Sequence, residues 1–430
     1  MARWSYGKLC VAHTVGNVAL AAAAAVACCL LVANIVQFTA GASLAAPHLA
    51  NDDSYRLWLC AEQLYRGEVV TANVPYMAFP ATVALLWHLT GGPNLLVPLL
   101  LNYLLMMLSL PLVALMAERV LAPYCDTPRR RSLFAALAMA MTAACCYWLG
   151  CGEVILKEPS LYLAMAMIGV AAARLVEVPG AHRLSLAADA GLMIAGTVLL
   201  GLNRGSMLYP VIVAIALLAR RSNWRLAIGA AAIAVVALSI AYASTHRGLH
   251  RDILIVEGHP AAMQHYFDSP ERSSHDSYNA FMGDYMQQPV WKKLSLLPVT
   301  AGVQYLIPLA WNMPSSREYG ASQMYSHIGF PWYAVGGLML FFIVMGGSIG
   351  RGGGVGRWCL AWAVPYLIIA YVYGGTVSRY WLPLLPAYAT VASYVLLRVS
   401  GGVGRKAFVT WTAGYGLLLV AALTAAYILS

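Results

Sequence analysis

The feature that most constrains this chain is its long apolar runs free of charge, Leu95 to Met116 and Leu226 to Tyr242 among them. About 20 such residues in a helix cross a bilayer core of roughly 30 Å with every backbone group bonded internally. A membrane β-barrel would need short alternating segments instead. Composition agrees, since 61% of the 430 residues are hydrophobic and only 10% are charged, against roughly a quarter charged in soluble domains. A soluble enzyme is excluded. The expectation is an all-α polytopic membrane protein, residues 1–430 forming a single transmembrane domain.

About 11 transmembrane helices are expected, at 11–38, 94–121, 132–150, 160–177, 185–202, 206–220, 226–243, 330–348, 358–375, 381–398 and 407–428. Two further apolar stretches, 76–90 and 296–313, are short or interrupted by proline and read as interfacial helices lying on or dipping into the outer surface. They sit in a first outer loop, 39–93, and a large outer loop, 244–329. The first span is long for a signal peptide and reads as an uncleaved anchor. With a cytoplasmic N-terminus, sixteen of the 27 basic residues fall on the inner side, with only Glu118, Asp126, Glu177 and Asp189 beside them. The inner balance is then +12 and the outer −2, so the net charge of +10 orients the chain in the cytoplasmic membrane and requires no nucleic acid.

Nine cysteines lie mostly inside apolar runs without metal-ligand spacing, and read as small buried hydrophobes. Cys60 and Cys151 are the pair that could meet in a disulfide outside the membrane. The histidines His246, His250, His259, His265 and His275 lack the compact spacing of a structural zinc site.

The expected helix centres contain almost no ionisable side chain, which argues against an ion-coupled transporter. Polar chemistry gathers instead at the outer surface. Asp52 and Asp53 open a stretch in which Asp53 or Ser54 can cap a helix, Trp58, Ala61, Leu64 and Tyr65 form an apolar stripe, and Gly67 ends it. Asp53 is then either a plain cap or a general base at the membrane surface, where partial desolvation raises a carboxylate's proton affinity. Lys157 and Glu158 precede Pro159, which suits a helix start; they either cap that helix or face a polar cavity. Arg204 lies in a turn between two spans, and Arg379 and Tyr380 precede another. Both arginines read as interfacial anchors or as ligands of a phosphate. Tyr278, Phe281, Met282, Tyr285 and Met286 share a helical spacing and read as a surface anchor before a covering helix.

In their order and outer placement these motifs resemble the GT-C class of membrane glycosyltransferases, in the branch of protein O-mannosyltransferases and lipid A aminoarabinose transferases. The similar elements are Asp52-Asp53, the segment from Val74-Pro75 to Thr90-Gly91, Lys157-Glu158-Pro159, Asn203-Arg204-Gly205, and Arg379-Tyr380-Trp381-Leu382-Pro383 through Pro386. Many members carry a soluble outer domain after the last span, where none is expected here, and some place a basic residue in the second interfacial segment where this chain has none.

The resemblance implies transfer of a sugar from a polyprenyl phosphate, on the outer face and with inversion. Asp53, with Asp52 as the less favoured choice, would be the base, Glu158 would orient the sugar, and Lys157, Arg204, Arg379 and Tyr380 would serve the donor and its phosphate. The acceptor would be a lipid, a glycan or a protein. No cofactor is required, although some members use a divalent metal. The rival readings are a lipid-linked oligosaccharide flippase or other transporter, and a polysaccharide polymerase.

Overall fold

In the computed structural model the described residues are 52–71, 76–145, 155–176, 183–219, 285, 288–306, 330–349, 353–373 and 382–429, with single positions at 229 and 232. Among them the protein is all-helical, without a strand. The helices are α1 (Asp52–Tyr65), α2 (Ala78–Thr90), α3 (Leu96–Leu121), α4 (Pro128–Ala143), α5 (Glu158–Ala173), α6 (Arg183–Arg204), α7 (Leu208–Leu218), α8 (Val290–Leu306), α9 (Phe330–Ile349), α10 (Gly353–Tyr373), α11 (Leu385–Ser400) and α12 (Arg405–Leu429). Among the described residues three stretches are long and apolar enough to cross a membrane: Leu96–Tyr124, Gly353–Val372 and Leu382–Ser400. The expected span 11–38, and 226–243 apart from positions 229 and 232, lie outside the described residues.

One end of the bundle is fixed by basic side chains that cap helix ends. Arg119 Nη1 donates to the Val170 carbonyl at 2.9 Å, so α3 and α5 finish together. The Tyr124 hydroxyl accepts from the Gly354 and Val355 amides at 3.2 Å, bringing in the start of α10. Arg130 Nη2 donates to the Leu397 carbonyl and to Ser400 Oγ, both at 3.1 Å, which joins the start of α4 to the end of α11. The carboxylate of Asp189, only 1% exposed, accepts from Arg119 and Arg174, each at 2.6 Å. Guanidinium groups at the carboxyl ends of α3 and α5 also complement those helices' negative poles.

At the centre lies α5, in which every residue but Met167 is buried. A helix buried all round belongs in the middle of a bundle. Its close approach to α6 depends on Gly196, where a Cβ would come within 2.8 Å of the Ala164 carbonyl oxygen. Small residues allow such backbone contact between membrane helices.

Helices α1 and α2 occupy the end opposite the arginines. Tyr76, just before α2, lies beside Lys157, just before α5, and α2 stops at Gly91, close in sequence to the start of α3. Both its ends therefore sit at one end of the bundle. Left-handed glycines make the turns: Gly67, at φ 67°, closes α1 as the Gly67 and Glu68 amides bond back to Leu64 and Gln63, while Gly91, at φ 90°, closes α2. Side chains with a Cβ resist this conformation.

Several expectations are corrected. Helix α1 already runs from Asp52, so Asp53 and Ser54 fall in its first turn rather than at its cap. Its buried positions are Ser54, Leu57, Cys60 and Ala61, while Trp58 and Tyr65 of the expected stripe pack against the same apolar cluster, each meeting the ring of Trp87 edge-on, with centroids 4.7 and 6.3 Å away. Cys60 is a free, buried thiol, lying 3.5 Å from Met77 Sδ, and not half of a disulfide. Helix α4 starts at Pro128, earlier than expected, because Thr127 accepts a capping bond from the Arg130 amide at 3.2 Å. Of the stretch 296–313, expected to lie on or dip into the outer surface, residues 296–306 belong to α8, which starts earlier, at Val290. That helix descends along α10, with Lys293 beside Tyr371 and the Tyr366 hydroxyl donating to the Ala301 carbonyl. Tyr285, expected as a surface anchor, is buried at 3% exposure, its hydroxyl donating to the Tyr371 carbonyl at 3.0 Å.

Candidate functional site

The end away from the Asp189 cluster collects the polar side chains that the sequence singles out. Pro159 at the first turn of α5 needs no backbone donor and sets the helix start, leaving Glu158 at its head. Because α5 is central, Glu158 is buried, at 3% exposure. Arg204, the last residue of α6, is 9% exposed, and its Nη1 stands 4.0 Å from Glu158 Oε1. The chain then leaves through a single tight turn, Gly205–Met207, into α7. Each charge also faces the favourable pole of its own helix, the carboxylate at an amino end and the guanidinium at a carboxyl end.

Lys157 precedes Glu158 and holds its ammonium 4.6 Å above the centre of the Tyr76 ring. Its backbone carbonyl accepts from Ser160 Oγ at 2.5 Å, which fixes the turn. Tyr76 is itself buried, at 2% exposure. Three buried oxygens of this region have no hydrogen-bond partner among the described residues: Tyr76 Oη, Ser54 Oγ and Asn203 Oδ1. The Asn203 amide nitrogen, by contrast, donates to the Leu199 carbonyl at 2.9 Å. Buried polar oxygens left open are costly unless something completes them. Such a set, next to a buried ion pair and a lysine, suits a hydroxylated, anionic ligand.

Lys157, Glu158 and Arg204 are thus brought together. Asp52 and Asp53 lie in the first turn of α1, and their side chains are outside the described residues. That helix reaches the lysine through a short relay, its Cys60 meeting Met77 beside Tyr76, and Leu57 shares an apolar cluster with Ile155. Arg379 and Tyr380 are outside the described residues too. The turn that follows them, Leu382–Leu384, is buried and packs on α5.

Burial raises the Cys60 thiol to about 11, which leaves it protonated and unreactive at neutral pH. Among the described residues no group of three or more His, Cys, Asp or Glu side chains could hold a metal ion, and the five histidines of 246–275 lie outside them.

Two groupings were missed from the sequence. Tyr76 emerges as the platform for Lys157, yet in sequence it is one aromatic in a proline-led segment. Lys293, between Tyr285 and Tyr371, is indistinguishable in sequence from its neighbour Lys292. Comparison of the chain with protein-family models, with curated proteins and with solved structures finds no match in any of the three.

Proposed function

We propose that this chain is a membrane glycosyltransferase of the GT-C kind, moving a sugar from a polyprenyl phosphate to an acceptor at the outer face of the cytoplasmic membrane. The observation that carries the reading is the buried Glu158–Arg204 pair with Lys157 at its side, at an end of the bundle where Tyr76 and Asn203 each hold a buried oxygen without a partner among the described residues. The lipid tail stays in the bilayer while its phosphate meets cationic side chains at the boundary.

In the reaction proposed, the acceptor hydroxyl oxygen forms a bond to the anomeric carbon as the bond from that carbon to the phosphate oxygen breaks, inverting the centre. Asp53, or less favourably Asp52, takes the hydroxyl proton. The electron pair leaves with the polyprenyl phosphate, where Lys157, Arg204, Arg379 and Tyr380 stabilise the growing charge. Glu158 holds a sugar hydroxyl.

Membrane orientation follows the same proposal. About 11 helices cross, the N-terminus is cytoplasmic, and the end that gathers Arg119, Arg130, Arg131 and Arg174 faces the cytoplasm. The packing of helix ends supports this, because that cationic end and the Glu158 site lie at opposite ends of α5 and α6.

Purified protein supplied with a panel of polyprenyl-phosphate monosaccharides tests the reading. Transfer should occur with one of them. Asp53→Asn should lower turnover by about 10²–10⁴ without weakening donor binding, and Arg204→Ala should slow transfer by about 10²–10³. Movement of lipid-linked sugar across vesicle membranes, with no transfer product from any donor, would overturn the proposal in favour of a flippase. Long polymeric products would point to a polymerase.

A further inference from the structure

Helix α8 carries a buried cation that the proposed transfer does not use. Lys293, in its first turn, is 6% exposed, and its ammonium lies 5.9 and 5.8 Å from the ring centres of Tyr285 and Tyr371. The Tyr285 hydroxyl bonds to the Tyr371 carbonyl, which ties the first ring to the last turn of α10. Among the described residues no carboxylate pairs with Lys293. Among the described residues its surroundings withhold water without returning a counter-charge, and burial lowers its proton affinity. Two ring faces near the outer limit of cation–π range do not replace lost hydration. The amino end of α8 adds further positive potential. An arrangement of this kind is completed by an anion.

The face of α8 indicates where that anion comes from. Val290, Trp291, Leu294 and Val299 are all more than half exposed, so the turns that hold Lys293 present large apolar side chains outward. A tryptophan beside a lysine at such a position suits a membrane boundary. The anion therefore arrives from the lipid side.

We propose that Lys293, flanked by Tyr285 and Tyr371, is a seat for the phosphate group of a lipid. The seat is argued from burial and charge alone and stands whether or not the chain transfers sugar. It shares an end of the bundle with Glu158 and Arg204, because α10 begins at the arginine-capped end and carries Tyr371 in its last turn.

The test is lipid retention by the full chain in detergent micelles, read by native mass spectrometry with polyprenyl phosphate, phosphatidylglycerol, uncharged polyprenol and inorganic phosphate as separate probes. One of the two phosphorylated lipids should bind, and which one names the source. Polyprenol should not bind. Lys293→Met should weaken retention at least tenfold, Lys293→Arg should largely restore it, and Lys292→Met should leave it unchanged. Equal retention by wild type and Lys293→Met, or the same loss in Lys292→Met, overturns the seat. If Lys293→Met fails to fold, unchanged retention by Lys293→Gln overturns it equally. Binding of inorganic phosphate with neither lipid retained overturns the lipid assignment. Because the readout is binding, absence of sugar transfer leaves this result intact.

Discussion

Removing the Asp189 carboxylate should be the most damaging single change at the arginine-capped end. Asp189 accepts from Arg119 through one oxygen and from Arg174 through the other, each at 2.6 Å, and is itself 1% exposed. In Asp189→Ala both guanidinium groups stay where α3 and α5 hold them, at side-chain exposures of 19% and 12%, and now repel each other. Breaking a buried pair from one side costs about 3–5 kcal/mol. Glu118 provides the contrast: it meets Arg131 at 3.1 Å, but the pair is 26% and 31% exposed, so Glu118→Ala should cost at most about 1 kcal/mol. Equilibrium unfolding by sodium dodecyl sulfate in mixed micelles, followed by helicity, measures both. The combination of Asp189→Ala with Arg119→Met and Arg174→Met should recover much of the loss, because no unpaired charge remains. The reasoning fails if Asp189→Ala lies within 1 kcal/mol of the wild type, or if the triple variant is no more stable than the single one.

Other expectations concern packing and titration. Gly196→Val should weaken the α5–α6 contact by several kcal/mol, since a Cβ already meets the Ala164 carbonyl at 2.8 Å; the same unfolding assay reads it, and Gly191→Ala, where nothing stands within 4 Å, should be tolerated. The Cys60 thiol, raised to about 11 by burial, keeps its proton in the folded state while an unfolded thiol loses its own near pH 9. Stability from this group is therefore full below about pH 9 and is lost as pH rises toward 11, by roughly 2–3 kcal/mol. The difference between wild type and Cys60→Ala across that window isolates it, and maleimide labelling at pH 7 should spare Cys60. Tyr285→Phe removes a buried bond to the Tyr371 carbonyl and should cost about 1 kcal/mol.

Apolar run length carried most of the helix boundaries. The expected spans at 94–121, 185–202 and 407–428 differ from α3, α6 and α12 by only a few residues, because a continuous apolar stretch leaves little choice of conformation or extent. Errors arose where local chemistry rather than hydropathy decides an end, as at Thr127, whose side chain starts α4 among three arginines. At the site, Lys157, Glu158 and Arg204 were legible because charges are rare in this chain. Their mutual geometry was not, since α5 and α6 place Glu158 and Arg204 together from 46 residues apart in sequence. The Asp189 cluster was legible only as charges near helix ends. Pairing Arg119 with a residue 70 positions later depends on which helices become neighbours. Lys293 escaped because exposure, rather than residue type, separates it from Lys292.

The hairpin of α5 and α6 is fastened twice, by Arg174 to Asp189 at one extremity and by Glu158 to Arg204 at the other, roughly 24 Å apart at 1.5 Å per residue. Two clasps at that spacing act as a vernier: a slip of one helix past its neighbour by a single residue would misalign both together. Gly196 leaves the backbones no slack between them. The gap from Glu158 to Arg204 is consequently gauged in part from the remote extremity, so loosening Asp189 should detune a carboxylate and a guanidinium that it never touches.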